Sequence, residues 1–255
     1  MKQLPNILTL GNLFCGCIAI SFILGAQNFT TSFNLAQQFE VPAMEQPYWG
    51  SIFIFAAAVF DMLDGAVARA LKVFSPIGKD LDSLADVVSF GVAPSMILFK
   101  MLWAAHMTQP DAMDVDMMLM SPAFLVACFS ALRLAKFNIT ASEQTRFFNG
   151  MPTPAVGVFV ATFPLINWQN PLGIAAYFYQ PWILYSIIGI LCWLMVSKVR
   201  FFKFMPSSFK LAAMWPQLLL IITGIGSFYF LKFGAIALCF VLYILLSFIY
   251  KPKEI

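Results

Sequence analysis

Residues 60–90 read "FDMLDGAVARALKVFSPIGKDLDSLADVVSF", which sets Asp61, Asp64, Arg69, Asp80, Asp82 and Asp86 inside a chain that is 61% hydrophobic and 11% charged. Asp61 and Asp64 are three apart and share one helix face; Asp82 and Asp86 are four apart and share another. Between the pairs, "KVFSPIGK" (72–79) carries the turn formers Pro76 and Gly78, which predict a helical hairpin with converging acidic faces. Four carboxylates then meet in one small volume, and Asp80 falls off the pattern as a solvated loop residue.

The rest of the sequence says what surrounds them. With 28 Phe and 14 Met in 255 residues, the composition excludes an ordinary soluble domain and points to an all-α integral membrane protein. A helix needs about 20 apolar residues to cross a hydrocarbon core. Such runs fall near 7–26, 48–70, 84–106, 119–138, 154–168, 178–197, 212–231 and 233–250; the fifth is short, and little more than Lys232 separates the last two.

Lys and Arg are retained on the cytoplasmic side of a membrane. Of the 15 basic residues, thirteen fit one side: Lys2, Arg69, Lys72, Lys79, Arg133, Lys136, Arg146, Lys198, Arg200, Lys203, Lys210, Lys251 and Lys253. The opposite loops, near 27–47, 107–118 and 168–177, lack Lys and Arg but hold Glu40, Glu45, Asp111, Asp114 and Asp116; Lys100 and Lys232 are the exceptions. Both termini and the acidic hairpin are therefore expected to face the cytoplasm, with an even number of spans. The net charge of +3 reports this topology and affinity for anionic lipid, and gives no reason to invoke nucleic acid. The first run lacks a small-residue cleavage site and reads as a retained helix. Cys15, Cys17, Cys128, Cys192 and Cys239 fall in spans, where thiols act as small apolar groups, and His106 reads as an interfacial residue.

An Asp at the centre of a membrane helix costs roughly 2.5–3.5 kcal/mol on insertion scales, so the four must face water, one another or a cation. Ion pairing or helix capping at the membrane edge is the plain alternative, but few basic residues lie nearby. Clustered carboxylates repel, and a hard divalent cation reverses that balance. Mg²⁺ or Mn²⁺ suits such a site, and these ions commonly share carboxylates with substrate phosphates. Gly65 and Ala68 clear a surface for a ligand. Arg69 either reaches a phosphate or simply anchors the span.

The spacing Asp61-x2-Asp64-Gly65-x2-Ala68-Arg69-x8-Gly78-x3-Asp82-x3-Asp86 resembles the signature of the CDP-alcohol phosphotransferases, with all eight positions filled. That resemblance implies that Asp61, Asp64, Asp82 and Asp86 bind the metals, that Asp61, Gly65, Arg69, Gly78 and Asp82 contact the CDP moiety, and that Asp86 is the general base. It also implies a six-helix core, residues 1–197, often paired as a homodimer. Residues 198–255 then form a cytoplasmic linker and two additional transmembrane helices.

"LPNILTLGNLFCG" (4–16) aligns Asn6, Thr9 and Asn12 along one helix face, where they either line a site or bond neighbouring helices. Together with "SLADVVSFGVAPS", "RLAKFN" and "FNGMPTPA", this stretch resembles the serine branch of the family. The resemblance implies CDP-diacylglycerol and L-serine as substrates, membrane lipids as partners, phosphatidylserine as product, and a bacterial inner membrane as location. Serine brings a carboxylate, for which Arg133 is the candidate cation; Asn12, Lys136 and Asn138 complete the expected serine-binding set. Glycerol phosphate or inositol as acceptor is the alternative within the class. A membrane cation transporter is a remote one, since it gives no reason for the glycine and arginine spacing.

Overall fold

The computed structural model describes residues 3–25, 48–72, 76–109, 114–140, 147–202 and 211–249. Outside these lie the loop acids Glu40, Glu45 and Asp111 and the basic residues Lys2, Arg146, Lys203, Lys210, Lys251 and Lys253.

Each of the eight expected spans is helical. Helices α1 (Leu4–Gly25) and α2 (Tyr48–Leu71) pack along one another, followed by α3 (Pro76–Asp86), a π-helical turn at Val87–Val92, and α4 (Ala93–Met107). A 3₁₀ segment, Met117–Phe124, leads into α5 (Leu125–Thr140). Then come strand β1 (Phe147–Asn149), α6 (Thr153–Gln169), a second 3₁₀ segment (Pro171–Tyr179), α7 (Pro181–Val196), strand β2 (Arg200–Phe202), α8 (Leu211–Leu231) and α9 (Gly234–Ile249). Leu4–Gly25, Tyr48–Leu71, Ile77–Met107 and Met117–Ile139 are long and apolar enough to cross a membrane on their own. Pro171–Tyr179 and Pro181–Val196 qualify as a pair bent by 91°; α6, at 17 residues, and the apolar stretches Trp215–Leu231 and Gly234–Phe248 of the last two helices are shorter. Large apolar side chains stand exposed along them, Ile222, Ile225 and Phe230 at about 70% among them, as suits a lipid-facing surface.

Two features differ from the sequence expectation. The third helix begins at Pro76, so Pro76 and Gly78 form its first turn and not the hairpin loop, and the exposed Asp80 is carried on the helix. Proline suits this position because its missing N–H has no helical partner there. The structure also adds a small antiparallel sheet to the all-α fold, in which Phe147, Phe148 and Asn149 pair with Phe202, Phe201 and Arg200. Gly150 N–H to Val199 O (2.9 Å) and Met151 N–H to Leu194 O (3.0 Å) extend the clip, which ties the start of α6 to the end of α7.

Chain breaks follow local chemistry. Pro152 is extended before α6 and Pro154 sits in its first turn, while Asn170 closes the helix in the left-handed region, its N–H bonded to Ile166 O at 2.7 Å. Lys232, also left-handed, turns α8 directly into α9. The buried core draws on nearly every helix. Phe240, Tyr243 and Leu246 of α9 belong to the same apolar cluster as Ile54 of α2 and Phe90 of the π turn.

Candidate active site

Helix α1 buries Pro5, Thr9, Asn12, Cys15, Gly16, Ala19 and Ile23, a three-to-four residue spacing that defines one face. Its two polar members point at acids. The Thr9 hydroxyl lies 2.6 Å from Asp64 Oδ2, and Asn12 Nδ2 donates to Asp86 Oδ1 at 3.2 Å. Asn6 does not join them; its amide bonds Gln3 instead. Asn12, a serine-binding candidate on sequence grounds, is fully buried and spends its amide on Asp86. The partnership of Thr9 with Asp64 spans 55 residues of sequence, and its only sequence signal was the polar stripe.

Asp61, Asp64 and Asp82 each offer one carboxylate oxygen, all within 4.8 Å of one another. That is about twice a Ca²⁺ to oxygen distance and somewhat more than twice a Mg²⁺ to oxygen distance, so one hard cation touches all three once it draws the carboxylates slightly inward. Asp82 Oδ1 is buried with no hydrogen-bond partner among the described residues, an orphan acceptor of the kind a cation satisfies. The donor set therefore fits a divalent metal. Asp86 stands one turn beyond Asp82, buried, within electrostatic reach of the other three.

The π turn fixes Asp86. Inserting an extra residue in the helical ladder shifts the register of the residues beyond it, and such turns recur at functional sites. Here Ser89 of the turn donates to the Asn12 carbonyl (3.0 Å), so one asparagine holds both the acid and the backbone beyond it. Two glycines let neighbours close on this turn. A Cβ added to Gly16 of α1 would lie 2.9 Å from Ser89 Cα, and one on Gly157 of α6 would lie 2.9 Å from Phe90 Cα.

At the end of α2, Gly65 is half-buried and Arg69 exposed; a Cβ on Gly65 would meet Arg69 Nη1 at 3.4 Å, so the glycine leaves room for the guanidinium to fold back. Gly78 is half-buried in the first turn of α3. Arg133 of α5 is buried. It donates from Nη1 to Thr153 Oγ1 (3.1 Å), lies 5.6 Å above the Phe137 ring, and keeps Nε without a hydrogen-bond partner among the described residues. The charge of Asp86 lies within electrostatic reach of it. Lys136 is exposed. Asn138 donates to Ser83 Oγ (2.7 Å), and its carbonyl accepts from Lys79 Nζ (2.9 Å), so it docks the end of α5 on α3.

The family model described as CDP-alcohol phosphatidyltransferase matches residues 2–197. The chain belongs to the CDP-alcohol phosphatidyltransferase family. It is 31% identical over 201 residues to the CDP-diacylglycerol–serine O-phosphatidyltransferase of Bacillus subtilis, covering 79% of this chain and 90% of that one. To the proteins of the same name in Methanocaldococcus jannaschii and Mycobacterium leprae it is 33% and 34% identical, spanning 69% and 68% of this chain and 74% and 50% of theirs. The CDP-alcohol phosphatidyltransferase family is metal-dependent, in keeping with the acidic trio. It is also a family of integral membrane proteins, in keeping with the apolar helices.

Proposed function

We propose that this protein transfers the phosphatidyl group of CDP-diacylglycerol to L-serine, giving phosphatidylserine and CMP. The observation that carries the reading is the position of Asp86, a buried carboxylate held by Asn12 and within electrostatic reach of both the acidic trio and the buried Arg133 guanidinium. An acceptor with a reacting hydroxyl beside a carboxylate matches that pairing, and the similarity to serine phosphatidyltransferases supports the choice.

In this reading Asp61, Asp64 and Asp82, with Asp86, hold Mg²⁺ or Mn²⁺, which when bound neutralises the pyrophosphate and makes its phosphorus a better electrophile. Gly65 and Gly78 let the nucleotide approach the backbone, and Arg69 meets a phosphate oxygen. Arg133 orients the serine carboxylate, with the exposed Lys136 and the half-buried Asn138 farther along the same helix. Asp86 takes the proton of the serine hydroxyl as its oxygen bonds to the lipid-side phosphorus and the bond to CMP breaks. Asn12 holds the Asp86 carboxylate in place to take that proton through its 3.2 Å bond.

We extend the reading to orientation, supported by the thirteen of fifteen basic residues that fit the side of the acidic hairpin: both termini and the site face the cytoplasm, in the inner membrane of a bacterium. It extends also to a catalytic core at 1–197, supported by the reach of the family match, with 198–255 as a linker and an appended helical pair.

The test is purified protein in lipid nanodiscs with CDP-diacylglycerol, Mg²⁺ or Mn²⁺ and a panel of labelled serine, glycerol phosphate and inositol, reading CMP release and lipid product. Serine is expected to outcompete the others, and excess chelator to abolish turnover. Preference for glycerol phosphate would overturn the serine assignment and leave the phosphotransferase intact. Full turnover in metal-free protein would overturn the metal site.

A further inference from the structure

The segment from α3 through the π turn runs antiparallel to α5, and two contacts set the register. Asn138 donates to Ser83 Oγ at 2.7 Å, and a Cβ added to Gly91 of the π turn would lie 3.1 Å from Ser130 Cβ. Arg133 falls between these contacts on α5, and Asp86 falls between them on the facing segment, so the two share one level of the bundle. At that level the start of α6 brings in a hydroxyl. Thr153, the first residue of α6, is fully buried, and its Oγ1 accepts from Arg133 Nη1 at 3.1 Å. The capping position is Pro152, so the hydroxyl at 153 answers to Arg133 rather than to the helix end. The clip fixes its seat. Gly150 and Met151 bond Val199 O and Leu194 O, and Gly150 holds φ +79° where a Cβ would run into the Met195 carbonyl. Further along α6, Phe240 of α9 stacks on Phe159 with ring centroids 4.0 Å apart and planes within 8°.

We propose that Thr153 is a positioning residue for Arg133, and that the clip between β1 and β2 presents it. A guanidinium has five N–H donors in a rigid planar fork, and the edge it offers a carboxylate depends on how the fork is turned. With Nη1 engaged by Thr153 and the guanidinium carbon 5.6 Å from the Phe137 ring centre, rotation of the fork is restricted, and the buried Nε is kept for an incoming acceptor. The inference rests on reading Arg133 as the group that meets the acceptor carboxylate.

Thr153→Val in the full chain keeps the branched shape and removes the hydroxyl. The KM for the acceptor that the wild type uses is expected to rise about three- to tenfold, with kcat and the KM for CDP-diacylglycerol within about twofold of wild type. Thr153→Ser keeps the hydroxyl and is expected to return the acceptor KM to within about twofold of wild type. In an Arg133→Ala background Thr153→Val is expected to add nothing, because the side chain it orients is gone. Thr162→Val removes another fully buried hydroxyl from the same helix, one that bonds the Phe159 carbonyl at 2.6 Å; it is expected to leave the acceptor KM unchanged. An unchanged acceptor KM in Thr153→Val, an equal rise for both substrates, no rescue by Thr153→Ser, full additivity with Arg133→Ala, the same selective rise in Thr162→Val, or loss of the folded protein in both Thr153→Val and Thr153→Ala would each overturn the proposal. An acceptor KM unchanged by Arg133→Ala would overturn the reading of Arg133 and this proposal with it; a KM raised by Arg133→Ala but not by Thr153→Val would overturn this proposal alone.

Discussion

Residues with the same chemistry are separated by their partners. Asp61 and Asp82 belong to the trio without a side-chain bond to α1, Asp64 takes the Thr9 hydroxyl, and Asp86 takes the Asn12 amide and lies next to the π turn. The expected consequence is a split in phenotype. Asp86→Asn keeps its place beside Asn12 but cannot accept a proton, so kcat should fall by about 10²–10⁴ while CDP-diacylglycerol still binds. Asp61→Asn removes a ligand oxygen and should weaken metal and CDP-lipid binding together. Calorimetric titration of metal and nucleotide into each variant, beside kcat, separates the two; equal loss of nucleotide affinity in both would contradict the assignment of Asp86. The four aspartates were legible in the sequence because spacing of three and four fixes a helix face. The partners of Asp64 and Asp86 were not, because nothing local says which helix the stripe on α1 will meet.

Elements repeat that lesson. The eight helices were readable because an apolar run of span length has few other options in a membrane, and their ends follow Pro, Asn and Lys at identifiable turns. The π turn was hidden, since Val87–Val92 is mostly apolar and carries no period to betray an extra residue. Its support is visible only in three dimensions, where Gly16 and Gly157 allow two helices to close on it from different directions. Gly157→Val is expected to push Phe90 and to shift Asp86 with it, since overpacking a close contact costs about 1–3 kcal/mol. Thermal unfolding in detergent should show the loss, and kcat should drop although the substituted side chain belongs to no part of the acidic site. A Gly189→Ala control, where an added Cβ meets nothing within 4 Å, should change neither.

At the scale of the whole molecule, the family match stops at residue 197 but the packing does not. Removing residues 198–255 would take away β2, leave the backbone of β1 without its pair, and uncover the α6 face that holds Phe159. The truncated chain is therefore expected to insert in the membrane yet to lose most transferase activity and to unfold at lower temperature. Activity assays and thermal scans of the 1–197 protein check this, and wild-type acceptor kinetics in it would show that the appended pair is dispensable. The division at 197 was legible because the resemblance marked it; the dependence across it was not, because strand pairing and ring stacking between distant segments leave no periodic trace. The clip also orders events in time. Strand β1 leaves the ribosome two membrane helices ahead of β2, and Phe240 emerges later still. The polypeptide can assemble its acidic cluster early in synthesis, but β1 gains its pair and Phe159 its stacked ring only when the last segments have been released, so a nascent chain carries its four clustered aspartates well before the packing around α6 is complete.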